Sequence, residues 1–117
     1  MSIDSILEQL VRDVPGARAA LLLDRQGEVV LEAGERNDSH RLVAAYQGLA
    51  LDAARQAAER CAIGLVSHLV TRYEEGSVVL QALKDGYFLV LTVANETLQG
   101  LAVHRSSRAA EALNAEI

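Results

Sequence analysis

The sequence predicts an α+β fold. It is a five-stranded antiparallel sheet with a long central helix on one face and the terminal helices on the other, in the order α-β-β-α-β-β-β-α. Three observations carry this reading. Helical spacing of apolar residues marks both ends and the Ala-rich middle of the chain. Five short apolar runs are separated by polar turns containing glycine. Several of those runs have consecutive apolar residues instead of strict alternation, as expected of strands covered on both faces.

The first helix spans Ser2 to Asp13, with Ile3, Ile6, Leu7, Leu10, Val11 and Val14 on one stripe. Ser2 can cap it, Asp4 suits its first turn, and Pro15-Gly16 ends it. Ala17 to Leu23 and Glu28 to Ala33 then read as strands joined by the polar turn Asp24-Arg25-Gln26-Gly27. After the loop GERNDS, Asp38 or Ser39 can cap a helix that runs to about Ala62 without a proline. Leu65 to Tyr73, Ser77 to Leu83 and Tyr87 to Val93 are three further strands, joined by turns at Glu74-Glu75-Gly76 and Lys84-Asp85-Gly86. Such tight turns imply antiparallel neighbours. A last helix runs from about Leu98 to Ala115.

The chain has 117 residues, which fits one domain, residues 1–117. Size scaling leaves about two thirds of the unfolded surface to be buried, enough for a core without staples. Half of the residues are apolar and 23% are charged, which excludes a disordered chain. One cysteine, Cys61, excludes an internal disulfide and any multi-cysteine metal site. The net charge of −5, with three Tyr and one Phe, argues against nucleic acid, which needs clustered cations and stacking platforms. No apolar run reaches membrane-spanning length, so no membrane insertion is expected. The acidic start MSIDSILEQLVRD does not resemble a signal peptide, and a cytoplasmic setting is the expectation.

The long helix is the most informative segment. Arg41, Asp52, Arg55, Gln56 and Glu59 fall within about 50° of a common centre. Apolar residues occupy an arc roughly 200° wide, whereas one sheet-facing stripe needs somewhat over 100°. A second packing surface is therefore required, and another copy of the chain is the simplest supplier.

Four stretches together resemble one family. They are VPGARAALLLDRQGEVV (Val14 to Val30), LVAAYQGLALDAARQAAERCAIG (Leu42 to Gly64), GSVVLQALKDGYFLVLTV (Gly76 to Val93) and LQGLAVHRSSRAAEAL (Leu98 to Leu113). Their order is similar to that of the Roadblock/dynein light chain family, in its short bacterial stand-alone, MglB-like form. In the last stretch Leu98 and Gly100 keep the family's pattern, and Gln99 stands where Asn is not needed. The resemblance implies the Roadblock/profilin-like fold and a homodimer or mixed dimer. In that dimer the strand after the long helix pairs with its counterpart, and the two long helices lie side by side. The contact would use Val43, Gln47, Ala50, Leu51, Ala54 and Ala58 of the helix and Val66, His68 and Val70 of the strand. The resemblance also implies a small Ras-like GTPase as partner, met by the paired helices. Some members stimulate GTP hydrolysis without inserting an arginine.

Candidate chemistry is sparse. No P-loop, G-x-G-x-x-G or G-x-S-x-G pattern occurs, no cofactor is implied, and no nucleophile–base pair can be nominated, so an enzyme is not expected. His40, His68 and His104 lack metal-ligand spacing, and no metal site is expected. His40 reads as a surface residue at a helix start, Lys84 as a solvated turn residue, and Cys61 as a small buried side chain. His104, Arg105 and Arg108 form a small basic patch, most simply a solvated face. Arg41, Asp52, Arg55, Gln56 and Glu59 are the docking candidates for a GTPase. The plainer reading is a solvated face with Asp52–Arg55 and Arg55–Glu59 pairs. The function expected is a homodimeric regulator or scaffold that binds a Ras-like GTPase and modulates its hydrolysis. The alternatives are a GTPase-independent scaffold for motor, cytoskeletal or signalling proteins, or a small-molecule sensor.

Overall fold

The computed structural model describes residues 1–117. Its elements follow the expected order: α1 (Ile3–Asp13), β1 (Ala17–Leu23), β2 (Val29–Gly34), α2 (Asp38–Cys61), β3 (His68–Tyr73), β4 (Gly76–Ala82), β5 (Phe88–Ala94) and α3 (Gln99–Glu116). The five strands form one sheet in the order β2-β1-β5-β4-β3, antiparallel throughout. Ser2 caps α1 as expected, its hydroxyl accepting from the Ser5 amide at 3.2 Å. The Lys84–Gly86 turn is a short 3₁₀ segment in which Asp85 takes a left-handed conformation (φ 59°).

The consecutive apolar residues of β1 are explained by a sheet with two covered faces. Ala20 and Leu22 point into a core shared with α1 and α3. Ala19, Leu21 and Leu23 point into a second core, closed by Ala44 and Leu51 of α2. Strand side chains alternate between faces, so both sets must be apolar. The two cores are unequal: the α1/α3 side buries 16 residues and the α2 side 9. A single helix covers the second face, and Val29, Val43, Val66, Leu69 and Ala82 at its margin are only partly buried.

Two boundaries differ from the sequence reading, and one strand pairing was not part of it. α2 is capped by Asn37, not Asp38 or Ser39; the Asn37 side chain accepts from the His40 amide at 2.9 Å. β3 starts at His68 instead of Leu65, because Leu65 lies off the sheet and is fully exposed. The central β1–β5 pair, such as Leu21 opposite Val90, joins distant segments that no tight turn announces.

Candidate functional site

The sheet has two edges, and they are built differently. β2 carries a register shift opposite Leu22/Leu23, and the Arg36 guanidinium donates to the Glu32 carbonyl at 3.2 Å. Bulges and charges of this kind blunt an edge. β3 pairs with β4 in unbroken register from His68 to Tyr73, and β4 is its only neighbour in the sheet. Its outer side is a regular, unpaired row of backbone donors and acceptors.

Contacts on both flanks fix the rotation of α2 above the sheet. Toward β3, Gln47 is buried: its Nε2 donates to the Tyr73 hydroxyl at 2.9 Å, and the Thr71 hydroxyl donates to its Oε1 at 3.0 Å. Toward β2, Arg41 donates to both Glu32 carboxylate oxygens, with Nε distances of 3.2 and 3.1 Å, and reaches Asp38 at 3.2 Å. The hydrogen bond from Arg41 holds the Glu32 carboxyl below its ordinary value of 4.5, against a smaller upward push from burial. Between the flanks Gly48 lies against Phe88. A Cβ there would stand 2.7 Å from the ring's Cζ, so only glycine lets the helix sit this close.

This rotation leaves a stripe of apolar side chains uncovered. Leu42, Tyr46 and Leu49 are 59%, 63% and 62% exposed. Ala50, Ala53, Ala57 and Cys61 continue the stripe on exposed positions. The left-handed Ala62 then ends the helix, and Ile63 (77% exposed) and Leu65 lead to the open edge β3. An uncovered apolar helix face thus lies next to an unpaired strand edge.

The interface residues named from sequence divide accordingly. Gln47, Leu51 and Ala58 are buried within the protomer, and Val43 and Ala54 are half-buried. The face of α2 turned outward is therefore about a quarter turn from the one proposed, and Ala50 is the helix residue the two sets share. Leu42, Tyr46, Leu49, Ala53 and Ala57 lie on the outward face and were not among the residues named from sequence; the contact of Gly48 with Phe88 marks the opposite, sheet-facing side. On β3 and before it, His68 is exposed, while Val66 and Val70 are half-buried.

The docking candidates are likewise split. Asp52, Gln56 and Glu59 are exposed on the flank of α2 away from β3. Arg41 is committed to Glu32 and Asp38. Arg55 is half-buried and forms neither of the ion pairs expected with Asp52 and Glu59. Two further expectations are corrected. Cys61 is exposed, because it lies on the uncovered arc in the last turn. The His40 side chain is 13% exposed, set between the Glu35 carboxylate at 3.2 Å and the Thr92 hydroxyl at 3.3 Å. His104 and Lys84 are exposed, as expected. No three His, Cys, Asp or Glu side chains converge at metal-binding distance, and no helix is long and apolar enough to cross a membrane.

The Roadblock/LC7 domain model matches residues 3–93 of the chain. No curated protein matches it in sequence. Among solved structures, a Roadblock/LC7 domain from Streptomyces avermitilis superposes with a TM-score of 0.87 at 20% identity, covering 99% of this chain and 98% of that one. Myxococcus xanthus MglB gives a TM-score of 0.85 at 20% identity, over 97% and 93% of the two chains. The gliding protein MglB of Thermus thermophilus gives 0.85 at 23% identity, over 97% and 86%. The order of elements, the sheet topology and the match over residues 3–93 agree: the chain belongs to the Roadblock/LC7 family.

Proposed function

We propose that this protein is a non-enzymatic, homodimeric regulator that binds a small Ras-like GTPase across its paired α2 helices. The observation that carries the reading is the uncovered apolar face of α2, Leu42, Tyr46 and Leu49, beside the unpaired edge β3. An exposed apolar patch and a regular open edge both favour association. A second copy, related by a two-fold axis perpendicular to the sheet at the β3 edge, covers both at once. The sheets become continuous and the two α2 stripes face each other. The blunted edge β2 argues for β3 as the pairing edge.

In such a pair the row of Asp52, Gln56 and Glu59 lies on the outer flank of each α2 and is duplicated by symmetry. The GTPase meets this polar flank together with the outward ridge of the helices. Its affinity then depends on charge pairing at the rim and apolar contact at the centre. No side chain of the protein is assigned a chemical step. Any effect on hydrolysis arises by orienting the GTPase's own catalytic groups.

The test is binding of Ras-like GTPases from the same genome, each loaded with GDP or with a non-hydrolysable GTP analogue. The reading predicts saturable binding that differs at least tenfold between the two nucleotide states, a coupling of about 1.4 kcal/mol. Absence of binding, or equal affinity for both states, contradicts it and leaves a GTPase-independent scaffold.

A further inference from the structure

A cleft of about 820 Å³ opens at the end of the molecule where α2 finishes. That volume is in the range of small-molecule sites. Its walls are held by specific contacts. The Ala62 and Ile63 amides fold back onto the Glu59 and Ala58 carbonyls (3.3 and 3.1 Å), which turns Gly64 and Leu65 along one side. Opposite, Arg25 of the β1–β2 turn donates to the Asp85 carbonyl at 3.3 Å. Gly86 must be glycine there, since its φ is +83° and a Cβ would stand 2.6 Å from the Arg25 Nε. The Lys84 amide donates to the Asn114 side chain at 3.0 Å, which ties the same turn to α3.

The lining is amphipathic. Ala58, Leu65, Val66, Ala82 and Leu83 supply an apolar surface. Arg25, Arg55 and Lys84 supply positive charge, and none of them has a carboxylate partner within 4.0 Å. Two carboxylates, Glu59 and Asp85, also line the cleft and oppose an anion. Even so the lining carries one excess positive charge on a chain whose net charge is −5. Arg55 is half-buried without an ion-pair partner, an arrangement that lowers the cost of giving it an anionic one.

We propose that this cleft binds a small organic oxyanion, an apolar body bearing a carboxylate or a phosphate. The body lies on Leu65, Val66 and Leu83, and the oxyanion meets the Arg25, Arg55 and Lys84 cations. Arginine suits this role because its planar fork matches both oxyanions. The cleft is lined by residues of one protomer, so the proposal does not rest on dimerisation; Glu59 on its rim is shared with the flank assigned to the GTPase.

The test follows the backbone amide resonances of Gly64, Leu65 and Gly86 while phenyl phosphate, benzoate, inorganic phosphate or benzyl alcohol is added to the whole chain. Saturable shifts are expected with phenyl phosphate or benzoate, and the tighter of the two assigns the anionic group. Inorganic phosphate, lacking the apolar body, is expected to bind at least about tenfold more weakly than phenyl phosphate. Arg55→Gln is expected to weaken binding about tenfold through loss of a charge-assisted hydrogen bond. Glu59→Gln is expected to tighten it severalfold, a gain that general damage to the fold does not produce. No saturable shift with either aromatic anion up to about 10 mM, well beyond the range of a millimolar site, overturns the proposal. So does equal binding of benzyl alcohol, or unchanged affinity in Arg55→Gln.

Discussion

Arg41 shows how one side chain can look like a docking residue in sequence and serve the fold in three dimensions. It shares a polar wheel position with Asp52 and Glu59, but its guanidinium reaches Glu32 on β2. That partner lies across the β2–α2 loop, out of reach of any helical spacing rule, so the wheel could not show it. The pair has a definite pH signature. Because the folded-state pKa of Glu32 is lowered from 4.5, its stabilising effect is fully present above that value and is lost as pH falls through the lower, folded value. Glu32→Gln is expected to lower Tm by no more than a few degrees at pH 7. The gap from wild type should narrow steadily in thermal melts taken at more acid pH; a gap that stays constant would show that packing, not charge, holds the pair.

Gly48 and Gly100 make a second residue-scale comparison. Both are helical, and alanine is ordinarily favoured over glycine in a helix by up to about 1 kcal/mol. At Gly100 nothing stands within 4 Å of a new Cβ, so Gly100→Ala should stabilise the protein by about 0.5–1 kcal/mol. At Gly48 the Phe88 ring stands 2.7 Å away, so the same change should give no gain, and Gly48→Val should cost about 1–3 kcal/mol. Denaturant titration of the three variants checks this. Equal gains at both sites would mean that α2 does not rest on Phe88.

At the scale of elements, the width of the apolar arc on α2 was legible in sequence but its direction was not. A wheel gives angles between residues; it does not say which angle the sheet occupies. With alanine spread around most of the helix, there is little contrast in size to break the tie. The contacts of Gly48 with Phe88 and of Gln47 with Thr71 and Tyr73 settle the rotation, and each depends on residues far along the chain. β3 lost its first residues for a related reason: Leu65 and Val66 are apolar and β-compatible, but the chain leaving the left-handed Ala62 has not yet reached the sheet. The consequence for α2 is testable. Tyr46→Glu and Leu49→Glu place charge on exposed positions, so each should leave the fold of a protomer intact while weakening association by tenfold or more. Leu51→Glu, on the buried side, should instead unfold the chain. Sedimentation and circular dichroism on the three variants separate these outcomes; loss of folded signal in Tyr46→Glu would mean that this side chain packs within the protomer.

For the molecule as a whole, the element order and the two-faced sheet were readable because apolar runs, helical stripes and glycine turns all agreed. The central β1–β5 pairing was not readable from local signals, since its strands are joined through the rest of the chain. What the whole structure adds is an imbalance. α1 and α3 together close one face of the sheet, whereas α2 alone covers the other and leaves large apolar side chains in solvent. α2 packs chiefly on β1 and β5, and the open edge β3 lies two strands beyond β5. The most direct measurement is therefore the mass in solution, by light scattering over a range of micromolar concentrations. Two chains sharing the α2 face and the β3 edge predict twice the 12.6 kDa of one chain, falling toward the single-chain mass in Tyr46→Glu. A particle of 12.6 kDa at every concentration would contradict the account.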